Sequence, residues 1–167
     1  SRHPVCTFKH PNIENYVGDL SDPEMAALYR RTHAMLFPTR GEGYGLPPRE
    51  YAGTGGVALA TDWGGTADAI QHWGVPLPYT MKPAWHDKPE WVGKMGQWAQ
   101  IDIEGTAALM RHVVHHYDSY QDAAVRAAGY VTAHYRWSLY AERIINIWKA
   151  TVEAHNASNR NRAQQTA

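Results

Sequence analysis

Two carboxylates separated by seven residues, Glu42 and Glu50, lie in the stretch Arg40-Gly41-Glu42-Gly43-Tyr44-Gly45-Leu46-Pro47-Pro48-Arg49-Glu50. Glycines alternate at 41, 43 and 45. They let a backbone approach a ligand closely and adopt conformations that other residues resist. Pro47 and Pro48 fit only the first turn of a following helix. A helix start carries orphan N–H groups and a partial positive charge, and so suits phosphate or another anion. The third glycine comes one residue too early for the dinucleotide fingerprint, and no Gly-Lys-Ser/Thr follows as in a phosphate-binding P-loop. Glu42 narrows the chemistry, because a carboxylate inside a bare phosphate cradle repels its ligand. A sugar joined to a diphosphate has a use for both features. Its leaving oxygen is anionic and takes N–H donors, while its anomeric carbon becomes oxocarbenium-like and is stabilised by a nearby carboxylate. Glu50, about one helical turn into the next element, is placed for ligand hydroxyls such as those of a ribose.

The elements that must hold these residues follow from the flanking pattern. Residues 1 to 12 contain the turn pairs His3-Pro4 and His10-Pro11, and Ile13 to Val17 reads as a short strand. Ser21-Asp22-Pro23-Glu24 is a helix start, with a capping side chain, an early proline and acids in the first turn. Met25, Leu28 and Tyr29 form its apolar face, and it ends near Thr32. Ala34 to Phe37 reads as a buried strand bounded by Pro38. The helix opened by the two prolines ends at 53 to 56, Val57 to Thr61 is a second buried strand, and Thr66 caps a short helix through Ile70. Alternating helices and short apolar strands predict an α/β fold, a parallel sheet with flanking helices. In such sheets ligands bind at the carboxyl ends of strands. The glycine loop and the Asp62 to Thr66 loop both leave such ends and are expected to be neighbours.

From 71 to 100 the alternation breaks. Trp73, Trp85, Trp91 and Trp98 occur there with prolines and glycines, which reads as a long ordered excursion rather than a linker. Three helices are expected after it: Asp102 to Ser119 with a face of Leu109, Val113, Val114 and Tyr117; Tyr120 to Arg136; and Ser138 to about His155 with Ile144, Ile145, Ile147 and Trp148. Thus 1–155 is one domain, and 156–167 is a polar, frayed tail.

The 167 residues suffice for a single sizeable core, and 44% of them are hydrophobic, within the globular range. Lys+Arg and Asp+Glu are both 16, which argues against broad capture of nucleic acid. One cysteine, Cys6, precludes an internal disulfide and fits a reducing, cytoplasmic setting. No apolar run approaches the ~18 residues of a membrane span.

The run from Leu20 to Ile70 resembles the retaining glycosyltransferases of family 4, which have the GT-B fold. The likeness rests on Pro38-Thr39, Glu42-Gly43-Tyr44-Gly45-Leu46, Pro47, Glu50, Ala52, Gly55-Gly56-Val57 and Gly64-Gly65, and Arg136-Trp137-Ser138 before a helix resembles the family's terminal segment. The resemblance implies a Rossmann-like, nucleotide-sugar-binding donor domain. In it Glu42 contacts the donor sugar, Glu50 binds the donor ribose, and the Tyr44, Gly45 and Leu46 N–H groups face sugar and diphosphate, with Leu46 by the nucleotide and Gly43 completing the loop. Glu42 and Glu50 are the implied catalytic pair. The implied reaction moves a hexose from a nucleoside-diphosphate sugar to an acceptor hydroxyl with retention, without metal or other cofactor. The acceptor is a glycan, lipid or protein.

Departures from the family pattern shape the expectation. Nothing before Ile13 resembles the family's first two strands and Gly-rich loop, or the Arg and Lys that clamp the diphosphate. The N-terminal acceptor domain, through which peripheral membrane contact would be made, has no counterpart. The Trp-rich excursion stands where relatives have a short strand, and Asp68 where many have Glu. The chain is therefore expected to cover roughly the last two-thirds of a donor domain, inactive alone. The alternative is a non-catalytic binding or scaffold remnant. An epimerase or phosphorylase of the same fold is a third reading, but a phosphorylase needs a cofactor lysine not found here.

Other residues have plainer readings. Arg40 and Arg49 have the types to pair with the glutamates or to meet phosphate, and a solvated salt bridge is the plainer reading. His112 and His116, at i and i+4, suit an exposed helix face more than a metal site. His86 suits a structural or solvent role. Trp137 and Trp148 suit core anchors.

Overall fold

A computed structural model describes residues 11–14, 16, 18–85, 89–91 and 93–165. Cys6, His3, His10 and His86 lie outside these residues, as do 15 and 17 of the strand expected over 13–17. Helix α1 (Asp22–Arg31) starts where the capping residues put it. The Ser21 N–H donates to the Glu24 carboxylate at 2.8 Å and the Ser21 hydroxyl at 2.5 Å. Strand β1 (Ala34–Phe37), helix α2 (Leu46–Gly53) and strand β2 (Val57–Thr61) follow. A 3-10 turn at Gly64–Thr66, the one-turn helix α3 (Ile70–Trp73) and strand β3 (Val75–Leu77) come next. Strands β1, β2 and β3 form a parallel sheet in that order, with Leu36 level with Leu59 and Leu59 level with Val75. The architecture is mixed α/β, a small three-stranded parallel sheet with flanking helices.

The central strand explains the layering. β2 has a neighbour on each side and is buried along its whole length. Its alternate residues serve opposite faces. Ala58 and Ala60 pack with Tyr51 and Ala52 of α2, Ile70 and Trp73 of α3, and Ala127 of helix α5 (Tyr117–His134). Alanines on this face leave room for helices to lie close. Val57 and Leu59 pack with Leu77, with Val113 of helix α4 (Ile103–His115) and with Ala124. β1, expected to be buried, alternates between exposed and half-buried positions. As an outer strand of the sheet it is covered less than β2.

The Trp-rich segment holds more regular structure than its composition predicts. Its first part supplies β3, the third parallel strand, where an excursion was expected to replace one. Strands β4 (Tyr79–Pro83) and β5 (Gln97–Ile101) then form an antiparallel pair. Two prolines, Pro76 and Pro78, flank the end of β3 and mask its strand character in sequence.

Four further expectations are corrected. Thr66 does not cap a helix: its buried hydroxyl donates to the carbonyls of Thr61 at 2.5 Å and Trp63 at 2.9 Å. Val114 is exposed, because the buried stripe of α4 runs through Leu109 and Val113, one turn apart. Helix α6 runs from Trp137 to Gln165, through the tail expected to fray. Trp137 and Trp148 are 78% and 64% exposed, and Ile144, Ile145 and Ile147 are exposed too. The periodicity of α6 identifies an apolar face but supplies nothing to cover it. No helix among the described residues is long and apolar enough to cross a membrane.

Candidate functional site

The glycine loop leaves β1 and enters α2, while the Asp62 to Thr66 loop leaves β2. They touch, as the parallel sheet requires. The Gly65 N–H donates to the Glu42 carbonyl at 2.6 Å. The backbones are so close that a Cβ on Gly65 falls within 3.0 Å of the carbonyl of Gly43 and the nitrogen of Tyr44. Gly45 is also obligatory. It caps α2 in the left-handed conformation, φ 75°, and a Cβ there meets Thr66 Cγ2 at 2.6 Å. Gly41 and Gly43 have nothing within 4 Å of an added Cβ. The row of three alternating glycines thus divides: only Gly45 is needed for close approach within the protein.

Glu42 is half-buried where the two loops meet. Its Oε1 accepts from the N–H of Gly43 at 2.9 Å and of Tyr44 at 3.4 Å. A carboxyl oxygen of the protein therefore already rests on part of the row of N–H groups expected to face a ligand. Glu50 is exposed on α2. It lines a cleft of about 280 Å³ with Tyr44, Leu46, Arg49, Val131, Tyr135, Trp137 and Tyr140. Glu42 is not among the residues lining that cleft. Of the six expected site residues, Tyr44, Leu46 and Glu50 share the cleft, while Glu42, Gly43 and Gly45 form the seam with the second loop.

Arg49 departs furthest from expectation. Instead of a solvated salt bridge it is 2% exposed. Its Nη2 donates to the carbonyls of Gly65 at 2.8 Å and Asp68 at 3.2 Å. Its guanidinium carbon lies 4.5, 4.9 and 5.0 Å from the ring centres of Tyr44, Trp73 and Tyr135. Rings at these distances attract a cation through their quadrupoles. The Asp68 carbonyl also accepts from Trp73 Nε1 at 2.9 Å and from the Tyr135 hydroxyl at 3.4 Å. At the position where a Glu was looked for, the backbone oxygen of Asp68 gathers three donors. The exposed Arg40 places its guanidinium carbon 4.6 Å from the Trp98 ring centre. The Ala99 N–H of β5 donates to the Arg40 carbonyl at 3.0 Å, so the β4–β5 hairpin buttresses the start of the glycine loop.

Tyr44 links the loop to α6. Its hydroxyl lies 3.1 Å from that of Tyr140. Loss of surrounding water, then the Tyr140 bond, pushes the Tyr44 hydroxyl up to about 12. The nearby Arg49 charge opposes that rise. Sequence reasoning missed Trp73, Tyr135 and Tyr140 as members of this cluster. Arg49 was visible, but its burial was not signalled by its type. His112 and His116 are exposed, with ring centres 4.4 Å apart. Among the described residues no group of three or more His, Cys, Asp or Glu could hold a metal ion.

Comparison with known proteins returns no match: no family model fits the sequence, and no curated protein and no solved structure matches it. What the site does must be argued from its own chemistry. Two loops at strand carboxyl ends meet at the backbone of Glu42, whose carboxylate is held by its own loop. The first turn of α2 opens beside them, and a buried cation lies behind. Such an arrangement can hold a polar ligand that carries both hydroxyls and negative charge.

Proposed function

We propose that this chain is the donor-binding part of a retaining glycosyltransferase with a Rossmann-like, GT-B type domain, acting in the cytoplasm. The reaction moves a hexose from a nucleoside-diphosphate sugar to an acceptor hydroxyl. The single observation carrying this reading is the seam between the two loops, where Glu42 is fixed by Gly65 beside the opening of α2. In this reading Glu42 faces the sugar, and Gly45 and Leu46 offer N–H groups to the diphosphate. Stabilisation of the developing charges comes from pre-oriented groups rather than from a side chain that forms a bond. Glu50, on the cleft wall one helical turn on, takes the ribose hydroxyls.

A second reading, a non-catalytic binding module, is favoured by the Glu42 carboxylate being engaged by its own loop at Gly43 and Tyr44. Calorimetric titration with a panel of nucleoside-diphosphate sugars tests the donor site, using wild type, Glu42→Ala and Glu50→Ala. Binding of one donor, weakened about tenfold or more by each substitution, is expected, since each removes a charged hydrogen-bond partner. Absence of binding across the panel, or unchanged affinity in both variants, overturns the donor-site reading. Transfer assays with the full-length protein separate the two readings: turnover supports the enzyme, and donor binding without turnover supports the module.

A further inference from the structure

The junction of α4 and α5 carries a pair of imidazoles that the donor reading leaves unused. His112 stands in the last turn of α4, and His116 both closes α4 and caps the start of α5. The turn between them is intact, with the His116 N–H donating to the His112 carbonyl at 3.0 Å. Side chains four residues apart on such a turn stand one above the other, about 5–6 Å apart at Cβ. Both rings are exposed, and their centres lie 4.4 Å apart at a tilt of 43°. Neither ring makes a hydrogen bond among the described residues.

That spacing suits a shared metal ion. A zinc ion holds each imidazole nitrogen at about 2.0–2.1 Å, so two rings on one ion have centres roughly 4.5–5 Å apart. The pair is thus close to a chelating arrangement before any ion arrives. The backbone adds to this. Helix α4 has 13 residues, and the negative end of its dipole falls at this turn, where a cation is stabilised. Other histidines lack these features. His72 and His134 each stack on Tyr130, at 4.7 and 4.1 Å between ring centres, rather than on one another. His134 Nδ1 already meets the Tyr130 carbonyl at 2.9 Å, and His155 Nε2 lies 3.0 Å from Asn159 Nδ2.

We propose that His112 and His116 form a two-ligand site for a divalent cation of the zinc, nickel and copper class, with water completing its coordination. Imidazole nitrogen suits these ions, whereas magnesium and calcium take oxygen ligands. With fewer protein ligands than a closed structural zinc site, the ion is exchangeable. Once bound, it clamps the last turn of α4 to the cap of α5. Beneath that joint, Val113 of α4 and Ala124 of α5 cover Val57 and Leu59 of the central strand. Occupancy therefore stiffens the cover of one face of the sheet. This site uses no residue of the donor site and stands or falls separately from it.

The chain is titrated with zinc chloride, and in parallel with copper and magnesium chlorides, by calorimetry. Zinc binding is mapped by NMR of the histidine rings. Wild type is expected to bind one zinc ion saturably, with the largest ring shifts at His112 and His116. Copper should bind more tightly than zinc, and magnesium should not bind there. His112→Ala and His116→Ala should each weaken zinc binding at least about tenfold, since even outer-shell changes cost about 10–100-fold at metal sites. His115→Ala, at the exposed neighbouring position, should keep wild-type affinity. Zinc should also raise the melting temperature of wild type and of His115→Ala, but not of the two ligand variants. A pair of rings that merely pack together predicts no zinc-dependent difference among the variants. The chain has 10 histidines, so the location of the shifts decides, not binding alone. Absence of zinc binding, shifts centred on other histidines, or unchanged affinity in both ligand variants overturns the proposal.

Discussion

Replacing Gly65 by alanine is expected to pry apart the two loops on which the candidate site depends. The added Cβ falls within 3.0 Å of the Gly43 carbonyl carbon and oxygen and of the Tyr44 nitrogen. These are backbone atoms, and no rotamer change relieves the clash. Ordinary contact requires the loops to separate by about 1 Å, and overpacking of this kind costs roughly 1–3 kcal/mol. The Gly65 N–H to Glu42 bond, 2.6 Å long, is then stretched past hydrogen-bonding range, at about 1 kcal/mol. The Arg49 bond to the Gly65 carbonyl, 2.8 Å, is strained as well. The sum is about 2–4 kcal/mol, a large share of the 5–15 kcal/mol typical of a domain. Urea unfolding followed by far-ultraviolet circular dichroism measures it. With a slope of about 2 kcal/mol per molar, the midpoint falls by roughly 1–2 M. Gly43→Ala is the internal control. Nothing lies within 4 Å of its added Cβ, so a change within about 0.5 kcal/mol is expected. An unshifted midpoint in Gly65→Ala, or equal losses in the two variants, refutes the idea that the seam is a close-packed joint.

Two further outcomes follow from the cluster around Arg49. Trp73→Ala should cost about 3–5 kcal/mol, because the ring is 1% exposed and its Nε1 holds the Asp68 carbonyl; Trp137→Ala, at a site 78% exposed, should cost about 0.5 kcal/mol or less by the same unfolding measurement. The Tyr44 hydroxyl should titrate at about 12 by NMR of labelled tyrosine and shift downward in Tyr140→Phe. Its value in the folded chain lies above the unfolded value of about 10. Its contribution to stability is therefore intact below about pH 10 and is lost as pH rises toward 12.

Local signals in the sequence located the elements well where the chemistry was local. Ser21, Pro23 and Glu24 mark the start of α1 because capping and a first-turn proline act within a few residues. Pro47 and Pro48 mark α2 for the same reason. The contact of the two glycine-bearing loops was legible because parallel strands bring their carboxyl ends to one edge. Burial was less legible, since it is decided by partners far along the chain. Ala34 to Phe37 is as apolar as β2, but position in the sheet, not composition, sets its exposure. Arg49 shows the opposite error. Its type predicts solvent, and only the convergence of Tyr44, Trp73 and Tyr135 from three separate segments encloses it. The glycines at 41, 43 and 45 are equivalent on paper, and the neighbour Thr66, from another loop, distinguishes the third.

The distribution of tryptophan has a spectroscopic consequence. Trp85, Trp91, Trp137, Trp148 and Trp63 are exposed and Trp98 is partly so, leaving Trp73 as the only fully enclosed indole among the described residues. Emission from the native chain is therefore that of mostly hydrated indoles, and unfolding adds little red shift. The one enclosed ring lies against a guanidinium. Its signal reports the state of the Arg49 cluster, while the bulk of the fluorescence stays nearly silent as the rest of the domain opens.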